Sequence, residues 1–224
     1  MNKSVSSDHN VFENAYSGDP SIYKSLKQLV EGLSLGAVLD VGSGQGRLLN
    51  WLRKQGHTQL RSCDKHPEYL KVEGLCADYC DLDKEPLPYP DHSFDTVFCV
   101  EVVEHLENPR HCCREISRVL KDAGTVFLTT PNILSLRSRL SFLLRGYSSY
   151  FMKYPNGKDS PHITMLTRFD LERIFKETGF SIQTIRYQEG AMPKSRVTWQ
   201  RIAPFLRGEL FSDTIIIVAK KQQG

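Results

Sequence analysis

The chain has 224 residues, 40% hydrophobic and 25% charged, with a formal net charge of +3. This length and composition suit one soluble globular domain with a full core and exclude disordered or fibrous classes. No apolar run reaches the roughly 18 residues that a membrane span needs, and the polar start Met1–Asp8 lacks the apolar stretch of a signal peptide.

Residues 1–20 are polar and are expected to be loosely ordered. Ile22, Leu26, Leu29 and Val30 then recur at helical spacing and stop at Gly32. Ala37–Val41 reads as a buried strand, followed by Gly42-Ser43-Gly44-Gln45-Gly46 and a helix over Arg47–Lys54. Glycines at alternate positions between a strand and a helix let a ligand approach the backbone, and the helix start offers it free N–H groups. Two short strands follow, Leu60–Cys63 closed by Asp64 and Gly74–Ala77 closed by Asp78. Pro86, Pro88 and Pro90 exclude a helix or inner strand over 81–93.

Phe94–Val100 reads as a fully buried fourth strand, Pro109–Leu120 as a helix and Gly124–Thr130 as a fifth strand. This alternation implies a mainly parallel, doubly wound α/β sheet. After Pro131 the pattern changes: Ile133, Leu136, Leu140, Leu143, Leu144 and Tyr147 would share one helical stripe, with Arg137, Arg139 and Arg145 off it. An aromatic loop with a Pro155-Asn156-Gly157 turn comes next. A helix over Phe169–Thr178, N-capped by Thr167, precedes final strands at Phe180–Tyr187 and Thr214–Ala219, with a basic insert, Lys194–Arg207, between them.

The small net charge hides an asymmetry, because residues 137–207 carry 13 Lys and Arg against 5 Asp and Glu. A basic second half suits an anionic partner or a solvated face equally. Nucleic acid is not expected, since the pI is only about 8.5 and no binding module is recognisable. Six cysteines (Cys63, Cys76, Cys80, Cys99, Cys112, Cys113) form no Cys-x-x-Cys pair, which points to reduced packing residues in a cytoplasmic protein. No Cys or His cluster has zinc-ligand spacing, so no metal is expected.

Asp64, 24 positions after Asp40, falls where a doubly wound sheet presents a carboxylate to a ribose diol. Asp78 can lie beside the base of the same ligand, and Val100-Glu101 ends strand four beneath it. The runs Asp40-Val-Gly42-Ser43-Gly44-Gln-Gly46, Cys76-Ala77-Asp78 and Phe94–Leu106, with Arg114–Gly124 leading to Thr129-Thr-Pro131-Asn132, resemble class I S-adenosylmethionine-dependent methyltransferases. The chain is also distantly similar to ubiquinone-biosynthesis-type O-methyltransferases. The resemblance is strong over about residues 35–135. It implies one domain over 1–224 with a Rossmann-like, seven-stranded mixed sheet, an antiparallel C-terminal hairpin and a helical cap insert after strand five. The cofactor-binding core would be 20–131, and the variable acceptor-side segments 132–168 and 190–212.

It also implies S-adenosylmethionine as cofactor. Asp40, Gly42, Ser43, Gly44 and Gly46 would hold its methionine part, Asp64 its ribose, Ala77 and Asp78 its adenine, and Val100 and Glu101 the floor near sulfur, with Lys65, Tyr79 and His105 also on the cofactor side. His162, or else His105, would take a proton from the acceptor, or these histidines are structural. Asn132 would orient the acceptor or cap the next helix. The acceptor would be small or lipid-linked, methylated at oxygen. The 132–146 helix would cap the pocket, lie on an anionic membrane from the cytoplasmic side, or grip phosphate groups. A dinucleotide-dependent oxidoreductase and a non-catalytic S-adenosylmethionine-binding module are the alternatives; oligomeric state is left open.

Overall fold

A computed structural model describes residues 20–152, 160–189 and 199–223. The expected loose start before residue 20, the Pro155-Asn156-Gly157 turn and the Lys194 part of the basic insert lie outside the described residues. The chain opens with α1 (Pro20–Val30) and continues through β1 (Val38–Val41), α2 (Arg47–Lys54), β2 (Leu60–Asp64) and β3 (Asp78–Tyr79). Next come β4 (Phe94–Val100), α3 (Pro109–Val119), β5 (Leu120–Pro131) and α4 (Leu136–Arg145). The last elements are α5 (Arg168–Glu177), β6 (Phe180–Glu189), the single turn α6 (Trp199–Ile202) and β7 (Ser212–Lys221).

The seven strands form one mixed sheet in the order β3-β2-β1-β4-β5-β7-β6. The first five are parallel, and β7 runs antiparallel between β5 and β6, as expected for a doubly wound sheet closed by a hairpin. Two-residue alternation sorts the core between the two faces. Val97, Cys99, Val126, Leu128, Ile215 and Ile217 pack with α3 and α5 on one side. Phe98, Phe127 and Ile216 pack with α1 and α2 on the other, with the Phe98 and Phe127 rings stacked at 4.9 Å. Strands covered on both faces need no polar side, which is why they read as continuous apolar runs.

Local chemistry accounts for the helix boundaries. Asn108 caps α3 through His111 N, and Pro109 opens it. Thr167 and Asp170 form a reciprocal capping box on α5, confirming the expected cap. The cysteines are free thiols; all but Cys76 are buried.

Two expectations are corrected. The third strand is Asp78–Tyr79 rather than Gly74–Ala77, so Asp78 begins it instead of closing it. The pairing with Cys63 and Asp64 decides this, because an edge strand of two residues carries almost no local signal. The helix after β5 starts at Leu136 rather than at Asn132, capped by Ser135, and the apolar stripe is not its buried face. It buries Ser138 and Ser141 and exposes Leu140, Leu143 and Leu144, the last two at 80% and 77%. Ser138 Oγ meets buried Ser148 Oγ at 2.8 Å, so the serine face is the one with built partners.

Candidate active site

The carboxyl ends of β1, β2 and β4 converge on the glycine turn. Gly42, Gly44 and Gly46 all take positive φ, of 72°, 50° and 79°, a region L side chains rarely adopt. Gly42 N donates to Cys63 O at 2.9 Å and Gly44 N to Asp64 Oδ2 at 2.8 Å, so the end of β2 shapes the turn after β1. A Cβ on Gly42 would sit 2.5 Å from Val102 Cγ2, which shows how closely the segment after β4 presses on the turn. Gly46 opens α2 with no side-chain cap, leaving the first N–H groups for a ligand.

Carboxyl groups gather at this edge. Asp40 is 3% exposed, and burial followed by the Asp64 charge pushes its carboxyl up to about 8. Glu101, just past β4 with φ 56°, donates its N–H to Thr129 O and accepts from Thr129 Oγ1 at 2.9 Å. Tyr23 of α1 feels both Asp40 and Glu101; burial first and these charges second keep its hydroxyl protonated, with Arg47 opposing. Tyr23 and Arg47 were not legible as site residues, since a tyrosine on an amphipathic helix and a solvated arginine carry no motif.

Asp64 is buried and also accepts from His66 N at 2.8 Å, and a carboxylate with two N–H donors keeps acceptor capacity for a diol. Lys65 pairs with Asp81 at 3.1 Å, and Asp81 rather than Asp78 lies beyond the end of β3, buried. Asp78 is exposed and accepts from Tyr89 OH at 2.8 Å, while Ala77 is half-buried and Tyr79 exposed. Asp81 is a residue the sequence reading missed, because the strand was placed too early.

The turn fits S-adenosylmethionine on the structure's own terms. A ligand with an amino group and a sulfonium is cationic, which matches Asp40, Asp64 and Glu101, and its carboxylate matches the uncapped start of α2. Ser43 Oγ, buried and without a protein partner, is a further group awaiting one.

Beyond the turn, a 3-10 turn over Val103–His105 places Glu104 and His105 next to His162, with the two imidazoles edge to face at 4.7 Å. Burial, then His105, lowers His162 to about 4. His162, expected as the acceptor's base or as a structural histidine, thus lies in one cluster with Glu104 and His105. Asn132 is committed to backbone groups. Its Nδ2 donates to Glu209 O at 2.6 Å and Ser212 O at 2.8 Å, and its Oδ1 accepts from Leu134 N. The amide is used up in holding the start of β7 against the end of β5, and the helix cap is Ser135. A surface cleft of about 750 Å³ opens toward the amino ends of β1, β2 and β4, lined by Ala37, Leu60 and Phe94. It lies away from the glycine turn.

Residues 39–128 match the model of the family described as "Methyltransferase domain". A relative named ubiquinone biosynthesis O-methyltransferase, from Xanthomonas euvesicatoria, is 37% identical over 103 residues, covering 42% of this chain and 43% of that protein. One of the same name from Leptothrix cholodnii is 29% identical over 184 residues, covering 78% and 76%. The chain thus spans less than half of the Xanthomonas relative, and 63% of a third such protein, from Neisseria meningitidis. Among solved structures, a SAM-dependent methyltransferase from Archaeoglobus fulgidus matches with a TM-score of 0.66 at 20% identity, over 95% of this chain and 99% of that one. A putative methyltransferase of Haloferax volcanii, solved in complex with a methyltransferase activator, matches at 0.68 and 19%, covering 96% of each chain. At these identities the structural matches speak to the fold.

Proposed function

We propose that the chain is a class I S-adenosylmethionine-dependent methyltransferase that transfers a methyl group to an oxygen of a small or lipid-linked acceptor. The observation that carries the reading is the glycine turn bonded to Asp64 at 2.8 Å, with three carboxylates around it. S-adenosylmethionine, when bound, supplies an already activated methyl on sulfur. The protein's part is to hold donor and acceptor in line and to exclude water. Asp64 and Lys65, Ala77 to Tyr79, and Val100 with Glu101 are the residues assigned to hold it, whereas His105 is turned to Pro161, Glu104 and His162. The oxygen acceptor rests on the likeness to proteins named as O-methyltransferases.

Transfer of labelled methyl from S-adenosylmethionine into a panel of hydroxyl acceptors tests this reading. Tight S-adenosylhomocysteine binding without NAD binding supports it. NAD binding alone replaces it with an oxidoreductase, and cofactor binding without turnover replaces it with a binding module.

A second reading concerns membranes. No helix among the described residues is long and apolar enough to cross one. The exposed Leu140, Leu143 and Leu144 on α4, beside basic Arg145, favour peripheral contact with an anionic surface that presents a lipid-linked acceptor.

A further inference from the structure

Three side chains from two distant stretches meet with their acceptor atoms together. Glu104 and His105 lie on the 3-10 turn after β4, and His162 arrives from beyond α4. It is pinned there because Ile163 N and Thr164 N both donate to Glu104 O, at 2.9 and 3.0 Å. The His105 Nδ1 contacts Pro161 O at 3.0 Å. A carbonyl only accepts, so Nδ1 carries the proton and Nε2 presents its lone pair, 3.9 Å from Glu104 Oε1. His162 is tied to the Tyr150 backbone through its ring, and its Nδ1 is buried without a partner. Glu104 is 1% exposed; Thr130 Oγ1 donates to Oε2 at 2.9 Å, and Oε1 has no partner.

One donor atom from each residue therefore lies within 4.8 Å of the others. Donors bound to one ion at about 2.0–2.2 Å sit roughly 3–3.5 Å apart, so small rotations close the set. Backbone carbonyls holding the far nitrogens, and a hydroxyl holding the far carboxylate oxygen, are the outer contacts that orient metal ligands.

We infer that Glu104, His105 and His162 form a binding site for one divalent first-row transition-metal ion. Two imidazoles and one carboxylate favour zinc, manganese, iron or cobalt over magnesium or calcium, which take oxygen donors. Three protein ligands leave positions for water or an acceptor oxygen. Glu104 is two residues from Val102, which touches the glycine turn, so the ion lies within one short segment of the cofactor site. That an acceptor oxygen occupies an open position rests on the methyl-transfer reading; the ion site itself does not.

The test uses the full chain, treated with chelator and titrated with Co²⁺ by visible absorption and with Zn²⁺ by calorimetry. The expected result is saturation at one ion per chain, with affinity reduced by about tenfold or more in both His162→Ala and Glu104→Gln. Circular dichroism checks that the variants fold; if Glu104→Gln does not, the half-buried His162→Ala decides. Absence of saturable binding, or affinity unchanged in the folded variants, overturns the site and leaves a hydrogen-bonded cluster. Parallel titration with S-adenosylhomocysteine keeps the two readings apart, because its failure would sink methyl transfer and not the ion site.

Discussion

Asp64 accepts the backbone N–H of Gly44 at 2.8 Å, so one carboxylate at the end of β2 sets the shape of the turn after β1. Asp64→Ala is expected to weaken S-adenosylhomocysteine binding by roughly ten- to a hundredfold and to cost about 1–3 kcal/mol of stability through the orphaned N–H. Calorimetry and thermal melts check this. Unchanged affinity would remove Asp64 from the ribose site.

Gly42→Ala meets two separate penalties, a φ of +72° and a Cβ 2.5 Å from Val102 Cγ2. Their sum is expected to be about 2–4 kcal/mol. Adding Val102→Ala should recover the steric part while the backbone part stays. A double variant no more stable than Gly42→Ala would show that the contact is not limiting.

Asp40 governs a pH dependence. Its carboxyl is raised to about 8, first by burial and then by Asp64, so the folded state holds a proton that the unfolded chain releases near pH 4. The stability it contributes is full below pH 4 and is lost as pH rises toward 8, at up to about 1.4 kcal/mol per unit. Melts of the free protein from pH 5 to 9 should show wild type falling behind Asp40→Asn. S-adenosylmethionine, being cationic, should narrow that gap; parallel curves without ligand would contradict the burial argument.

Asn132→Ala separates structural from catalytic work. The amide bonds both Glu209 O and Ser212 O, so its loss is expected to cost about 2 kcal/mol while cofactor affinity stays unchanged. Full stability with lost turnover would return Asn132 to the acceptor.

The outward face of α4 gives a surface prediction. Wild type should float with anionic vesicles and not with neutral ones, and Leu143→Ser/Leu144→Ser should abolish this, because the two side chains are 80% and 77% exposed. Flotation that is absent, or that survives the substitutions, would leave α4 without a membrane role.

Much of the fold was legible because its signals are local. Alternation along Phe94–Val100, Thr167 three residues before Asp170, and Gly42, Gly44 and Gly46 after an apolar run each report on neighbours within a few residues. The meeting of Asp40 and Asp64 beside the glycine turn followed, since they lie near the carboxyl ends of adjacent parallel strands. β3 was misplaced because two edge residues are defined by pairing with Cys63 and Asp64.

The sequence by itself determined the doubly wound sheet, the glycine turn and the carboxylate beside it, because strand period, glycine spacing and strand-end acids are written within single elements. Only the tertiary structure decided what surrounds them. It turned α4 serine-side in and leucine-side out, spent Asn132 on the β7 junction, and carried His162 across to Glu104 and His105. These outcomes depend on which surfaces and backbone groups remain unsatisfied once the sheet has formed, and that balance is struck between residues far apart in the chain.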